Sequence, residues 1–192
     1  MQTAALKGGF ADPARDAAHA FRALMQAMAR PGRIEAIAGA EGPAPMSPAA
    51  ACALAVLCDP DTPVHLAPSR DSAAIRDWIT FHTGAPLCAP EEAVFALGTW
   101  AELRDLPFAI GSAQYPDRSA TLIVEIETLE AKGASLSGPG IDGRAALSLP
   151  EIEAFARNRA LFPMGVDHYF TSAGRIAGLP RSTRVSAQSE VA

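Results

Sequence analysis

Apolar positions recur at helical spacing in some stretches of this chain and run unbroken or alternate over short lengths in others. That mixture predicts helices interleaved with strands. Phe21, Leu24, Met25 and Met28 fall at i, i+3, i+4 and i+7, giving one apolar helix face, with Arg15, His19, Arg22 and Gln26 opposite. Asp12-Pro13 supplies an N-cap followed by proline in the first turn, and Pro31-Gly32 stops the helix. Arg33 to Ile37 alternates like a strand. Ser47-Pro48 starts a second helix through about Leu57, whose Ala, Leu and Val content predicts burial on most sides. Thr62 to Leu66 reads as a short strand, and Asp71 as the cap of a helix ending near Phe81.

Farther along, Val94 to Leu97 predicts a strand, Ala101 to Leu106 a helical turn, and Thr121 to Ile126 a β-branched strand suited to a sheet centre. Ser135 to Ser137 leads into a tight Gly-Pro-Gly turn, and Pro150 to Leu161 predicts a helix. Val166 to Thr171 and Arg175 to Leu179 predict a final hairpin around Ala173-Gly174. The expected fold is α/β, in three α/β/α layers around a mixed sheet. One domain is expected over 1–192. After Arg184 the chain reads as a short tail, with 186–192 expected to fray.

Composition narrows the partners. Apolar residues make up 49% and charged residues 19%, a globular profile, and the formal net charge is −5. Two lysines, Lys7 and Lys132, and dispersed arginines give no cationic patch, so neither nucleic acid nor an anionic membrane is expected as a partner. The start lacks a basic segment followed by an apolar core, and the apolar run Ala49 to Leu57 is about nine residues where a span needs about twenty. A cytoplasmic protein is therefore expected. Cys52, Cys58 and Cys88 lack Cys-x-x-Cys spacing and read as small buried hydrophobes, with no metal site.

The familiar catalytic patterns are incomplete. Gly138-Pro-Gly-Ile-Asp-Gly143 matches Gly-x-Gly-x-x-Gly, but Pro150 follows too soon for a crossover helix. A glycine turn is the expected reading, with a backbone anion nest left as an alternative. No Gly-Lys-Ser/Thr loop and no Gly-x-Ser-x-Gly elbow occur. His19, His65, His82 and His168 form no ligand pair, and no cofactor is expected. Glu125 and Glu127, at i and i+2, read as a solvated edge-strand face, with a functional pair as the alternative.

Eight segments in order carry a resemblance. They are Asp16, His19 and Phe21-Arg22; Met28-Ala-Arg-Pro-Gly32; Asp61-Thr-Pro-Val64; Phe81-His-Thr-Gly-Ala-Pro-Leu87; Ala120-Thr-Leu-Ile123; Leu136-Ser-Gly-Pro-Gly-Ile141; Phe162-Pro-Met-Gly-Val-Asp167; and Leu179-Pro-Arg-Ser-Thr183. From about Phe10 to Val185 the chain resembles the PhnH family, the H subunit of the bacterial phosphonate carbon–phosphorus lyase system.

The resemblance implies a fold similar to the pyridoxal-phosphate-dependent transferases without their cofactor site. It implies a homodimer in isolation and a core complex with PhnG, PhnI and PhnJ. It further implies a part, with partner subunits, in transferring the ribose triphosphate of ATP to a phosphonate such as methylphosphonate with release of adenine. It carries over no catalytic residue. An assembly or positioning role is the first expectation. The second is a cleft of the chain's own for an anion, ATP or a phosphonate, built from Arg22, His82, the Gly138–Gly140 turn, Arg181 and Thr183. The third is a free-standing small-molecule transferase or hydrolase.

Overall fold

The computed structural model describes residues 7–187. Met1 to Leu6, part of the start read for a secretory leader, and 188–192 of the expected tail lie outside the described residues.

Three helices cover one face of the main sheet. In α1 (Pro13–Ala29) the Asp12 carboxylate accepts from the Arg15 N–H at 3.4 Å. The stripe this helix buries is Ala20, Leu24 and Ala27, whereas Phe21 and Met25 stand 52% and 48% exposed. The face expected from the large apolar residues is thus only partly the one used. The reason is close approach: a Cβ on Gly178 would lie 2.7 Å from the Ala27 carbonyl. Alanine and glycine let the helix backbone rest on the sheet, which leaves the bulkier side chains outside.

The helix α2 (Pro48–Leu57) starts where expected, and every residue from Ala49 to Leu54 is fully buried. Its orphan first-turn donors are each satisfied. Ser47 Oγ accepts from Ala50 N–H at 3.2 Å, and Ala49 N–H donates to the Ala173 carbonyl at 2.9 Å. The third helix, α3 (Ala73–Thr83), is capped by Ser72, not Asp71, and ends on left-handed Gly84. Asp71 instead pairs with Arg76.

The strands are β1 (Ile34–Ala36), β2 (Val64–Leu66), β3 (Phe95–Thr99), β4 (Thr121–Glu125), β5 (Ala134–Ser137), β6 (Ala145–Leu147), β7 (Asp167–Ser172), β8 (Arg175–Leu179) and β9 (Arg184–Ser186). Six form a mixed sheet in the order β1-β8-β7-β4-β3-β2. Its β2, β3, β4 and β7 run parallel, and the β7–β8 hairpin turns the edge antiparallel with β1 outside it. Leu122-Ile-Val124 is an unbroken apolar run because both faces of β4 are covered. Leu97, Ile123, Tyr169 and Ile176 pack toward α1–α3. Ala96, Leu122, Phe170 and Ala177 pack the other way.

The second face is covered by α4 (Trp100–Leu103), by α5 (Ile152–Ala160), and by a small antiparallel sheet in the order β6-β5-β9. That small sheet was not legible as such. Val185 and Ser186, read as the beginning of a short tail after Arg184, pair together with Arg184 along Ser135 to Ser137, and Val185 is 8% exposed in the second core cluster. The helix expected from Pro150 starts at Ile152. Among the described residues no helix is long and apolar enough to cross a membrane.

Two of the cysteines are sealed. Burial pushes the Cys52 thiol up, and the Cys58 thiol to about 12 with the Asp59 charge adding to it. Cys88 is only partly buried, and its thiol is raised by burial and by Glu92. Because the thiolate is the nucleophile, Ellman's reagent near neutral pH should label Cys88 slowly. It should reach Cys52 and Cys58 only after unfolding in guanidinium. Rapid labelling of two or three thiols in the native protein would contradict this packing.

Candidate functional site

Beneath α4 and α5 the second face of the sheet opens into a pocket of about 300 Å³, lined by Trp100, Phe108, Leu122, Phe155 and His168 among others. The size is at the lower end for a small-molecule site. Helix α4 begins with Thr99, whose N–H and hydroxyl both donate to the Glu102 carboxylate, at 3.2 and 2.6 Å. Ser69 adds two more donors from the loop after β2. Burial alone would raise the Glu102 carboxyl, but these donors outweigh it and hold it at about 2. This clamp fixes where Trp100 leaves the strand.

The aromatic lining is mutually packed. Trp100 lies 4.6 Å from Phe155, and Phe155 meets the edge of His168 at 5.1 Å. His168 in turn stacks near-parallel on Phe170, 6.1 Å away. His168 and Phe170 alternate on one face of β7, so the strand itself aims the imidazole at α5. The ring is 1% exposed. Burial lowers it to about 4, overcoming the Asp167 charge and a backbone hydrogen bond at Leu179, so it is neutral near pH 7. Among the described residues its buried Nδ1 has no hydrogen-bond partner of good geometry.

The mouth is polar on one side. Trp100 Nε1 donates to Glu151 at 3.1 Å, and Arg104 and Arg157 reach the same carboxylate at 3.0 and 3.3 Å. The Trp100 hydrogen bond chiefly, then the two guanidinium groups, keep Glu151 below the usual range. Asn158 clamps Val166 by paired bonds of 2.8 and 2.9 Å, holding the loop after α5 beside the opening. Ile110 and Leu161, 38% and 42% exposed, form the apolar side of the rim.

The residues singled out from sequence are dispersed across several settings. Arg22 is exposed on α1, with no ion pair among the described residues. His82 lies on α3, packed against Trp78 and Phe81, with Nε2 3.3 Å from the Lys7 carbonyl. Gly138 and Gly140 form the turn from β5 to β6, and the Gly-x-Gly-x-x-Gly match leads into a strand, not a helix. Gly140 (φ +79°) presses on the end of α1, where a Cβ would fall 2.0 Å from the Ala29 oxygen.

Gly138 faces the Ser182–Thr183 backbone, so the Gly138 turn and Thr183 are brought together. Thr183 is 2% exposed, and among the described residues its hydroxyl has no hydrogen-bond partner. Arg181 spends its guanidinium on Asp167, on the Pro116 carbonyl and on Ser119 Oγ, an internal clasp from the segment after β8 to the start of β7 and the 116–119 turn. The pocket residues Trp100, Phe155 and His168 were missed. The available signal was the i, i+2 pairing of a histidine with a phenylalanine on a strand otherwise read only for its hairpin.

At the carboxyl ends of the parallel strands, where open α/β sheets commonly bind ligands, the protein's own charges occupy the space. Glu125, expected on a solvated edge, ends the interior strand β4 at 8% exposed. It accepts from Ser47 N–H at 2.7 Å and pairs with Arg70. Its partner in the edge reading, Glu127, lies beyond the strand. Among the described residues no cluster of three or more His, Cys, Asp or Glu is placed to hold a metal.

Residues 8–186 match the family described as "Bacterial phosphonate metabolism protein (PhnH)". The "Alpha-D-ribose 1-methylphosphonate 5-triphosphate synthase subunit PhnH" of Rhizobium meliloti (strain 1021) is 39% identical over 96% of this chain and 97% of its own length. The "Putative C-P lyase subunit protein HtxG" of Stutzerimonas stutzeri is 30% identical over 87% of this chain and 84% of its own. The match over residues 8–186 and the 39% identical relative agree: this chain belongs to the PhnH family.

Proposed function

We propose that this chain is the H-type subunit of a cytoplasmic carbon–phosphorus lyase assembly in phosphonate catabolism, working beside PhnG-, PhnI- and PhnJ-type subunits. With its partners it serves the transfer of the ribose triphosphate of ATP to a phosphonate such as methylphosphonate, with release of adenine. Its share is assembly and positioning. The observation that carries this reading is the end-to-end match with a protein whose own name makes it a subunit of that synthase. The site chemistry agrees with it: the pocket presents a neutral imidazole and arginines shared with a carboxylate, groups that bind and orient. Phe21, Met25 and Phe81, each about half exposed, support a protein contact on the helical face, including a homodimer in isolation. We extend the proposal to the architecture: one domain of the pyridoxal-phosphate-dependent transferase type without a cofactor lysine. Lys132 is 72% exposed and paired with Glu130.

A second reading, an anion held by this chain itself, is favoured by one observation among Arg22, His82, Gly138, Gly140, Arg181 and Thr183. The Arg22 guanidinium is exposed, and its donors are unspent on acceptors among the described residues. Co-expression with the partner subunits and purification through a tag on this chain should recover a complex. The lone chain incubated with ATP and methylphosphonate should release no adenine, and leaving it out of the full set should abolish release. Adenine release by the chain alone would overturn the assembly role. Calorimetry with millimolar ATP and Arg22→Ala decides the second reading.

A further inference from the structure

We infer that the amino edge of the main sheet is a docking surface for an acidic, apolar patch on a different subunit of the assembly. This rests on the assembly role proposed above and adds where the contact falls and what chemistry faces it. Ile110, Tyr115, Leu161 and Phe162 stand between 38% and 50% exposed, half of the large apolar side chains that reach solvent to that extent among the described residues. Three stretches of chain bring them to one edge. The 110–119 stretch doubles back through an antiparallel bridge between Ile110 and Ser119, with Tyr115 in its bend. The Ile110 carbonyl accepts from Gly165 N–H at 2.9 Å, which holds that bend against the loop after α5. Phe162 and Pro163 then share a shallow groove with Pro116 and Pro180.

Charge says what the patch faces. The Arg118 guanidinium lies 4.2 Å from the centre of the Tyr115 ring, and that of Arg159 lies 4.8 Å from the centre of Phe162. The neighbouring ion pairs, Arg157 to Glu151 and Arg181 to Asp167, leave both out, and among the described residues neither is paired with a carboxylate. A guanidinium over a ring keeps its in-plane N–H fork for a carboxylate arriving from the side. Asp117, in the groove, is the one acid of its lining without an ion pair among the described residues. Unpaired charge here is therefore cationic in balance, on a chain whose net charge is −5. Aromatic side chains and arginine are also the types enriched where proteins meet.

A second copy of the chain fits this edge poorly. A two-fold contact sets a patch against its own image, which would crowd Arg118 and Arg159 against their copies with one unpaired acid on each side to offset them. A different protein presenting carboxylates beside apolar side chains satisfies both the forks and the rings. The surface is also set before a partner arrives. Arg181 ties the Pro116 carbonyl and Ser119 to Asp167, so little ordering opposes docking.

The test is co-expression of the full tagged chain with the PhnG-, PhnI- and PhnJ-type subunits, followed by recovery through the tag. Phe162→Asp, at an exposed position, should lower recovery of the partners by about tenfold or more, the effect of losing a central contact residue. The charge reversal Arg118→Glu/Arg159→Glu should do the same. Phe21→Asp, on the helical face, should leave recovery unchanged. Unaltered melting temperatures separate lost docking from lost folding, and Phe162→Asp alone decides the matter if the double variant does not fold. In sedimentation of the lone chain, Phe162→Asp should self-associate as wild type does. Full recovery of the partners by Phe162→Asp, or its conversion to a monomer where wild type dimerises, would overturn the assignment and leave the assembly role standing. Wild type that recovers no partner would bring down the assembly role and this surface with it.

Discussion

Replacing Arg70 by alanine is expected to destabilise the protein by about 3–5 kcal/mol, the cost of stranding one member of a buried ion pair. Arg70 and Glu125 have side chains only 13% and 7% exposed. With the guanidinium gone, the Glu125 carboxylate keeps a single good donor, the Ser47 N–H at 2.7 Å, and too little water to solvate the rest of its charge. For a chain of this size each kcal/mol moves the melting temperature by about 2–4 °C, so a drop on the order of 10 °C should appear in a thermal scan.

The double variant Arg70→Ala/Glu125→Leu should recover much of the loss, since removing both charges leaves no orphan. A loss below about 1 kcal/mol for the single variant would place the pair with ordinary surface bridges. A double variant as unstable as the sum of the singles would mean the two do not interact.

The position of this pair explains why the damage should spread beyond one contact. Glu125 ends the interior strand β4, Arg70 follows β2, and Ser47 caps α2, so one carboxylate ties the sheet's carboxyl edge to the helix lying over it. A carboxylate at the first turn of α2 also complements the positive end of that helix. The remaining donors of Arg70 fold back on Ser69, whose hydroxyl and N–H serve Glu102 in the adjoining clamp. The carboxyl edge is thereby committed to structure.

Elements with strong local chemistry were legible in the sequence. Proline and serine at 47–48, the β-branched run at 121–126 and the Ala173-Gly174 hairpin each appear where their residues demand them. Features set by distant contacts were not. Large apolar residues at helical spacing marked Phe21 and Met25 as core. The sheet instead took the alanine side of α1, because Gly178 allows the backbones to touch. Glu125 was read from its i+2 neighbour as an edge residue, but its setting depends on Arg70, 55 positions away. Ser72 displaced Asp71 as a cap because Asp71 had Arg76 to pair with. The pocket was missed for the same reason: the His168–Phe170 spacing marks one strand face, but Trp100, Phe155 and His168 meet only through sheet order. Arg181 read as a free anion fork, and only the fold shows its donors closed on Asp167, Pro116 and Ser119.

Acidification should expose the same buried imidazole that floors the pocket. Folded His168 titrates at about 4, against about 6.5 in an unfolded chain. Between those values the unfolded state binds a proton that the folded state refuses, so stability rises with pH across that window. The contribution is fully present above about pH 6.5 and is lost as pH falls toward 4. With roughly 1.4 kcal/mol for each unit of difference, the loss is on the order of 3 kcal/mol.

Glu102, held at about 2, adds its own loss only below the ordinary carboxylate range, so the upper part of the window reports His168 free of that clamp. Urea unfolding from pH 7 to pH 5 should show wild type weakening while His168→Phe, which keeps the stack on Phe170 and Phe155, follows a visibly flatter curve. Equal slopes for the two proteins would mean the imidazole reaches water after all.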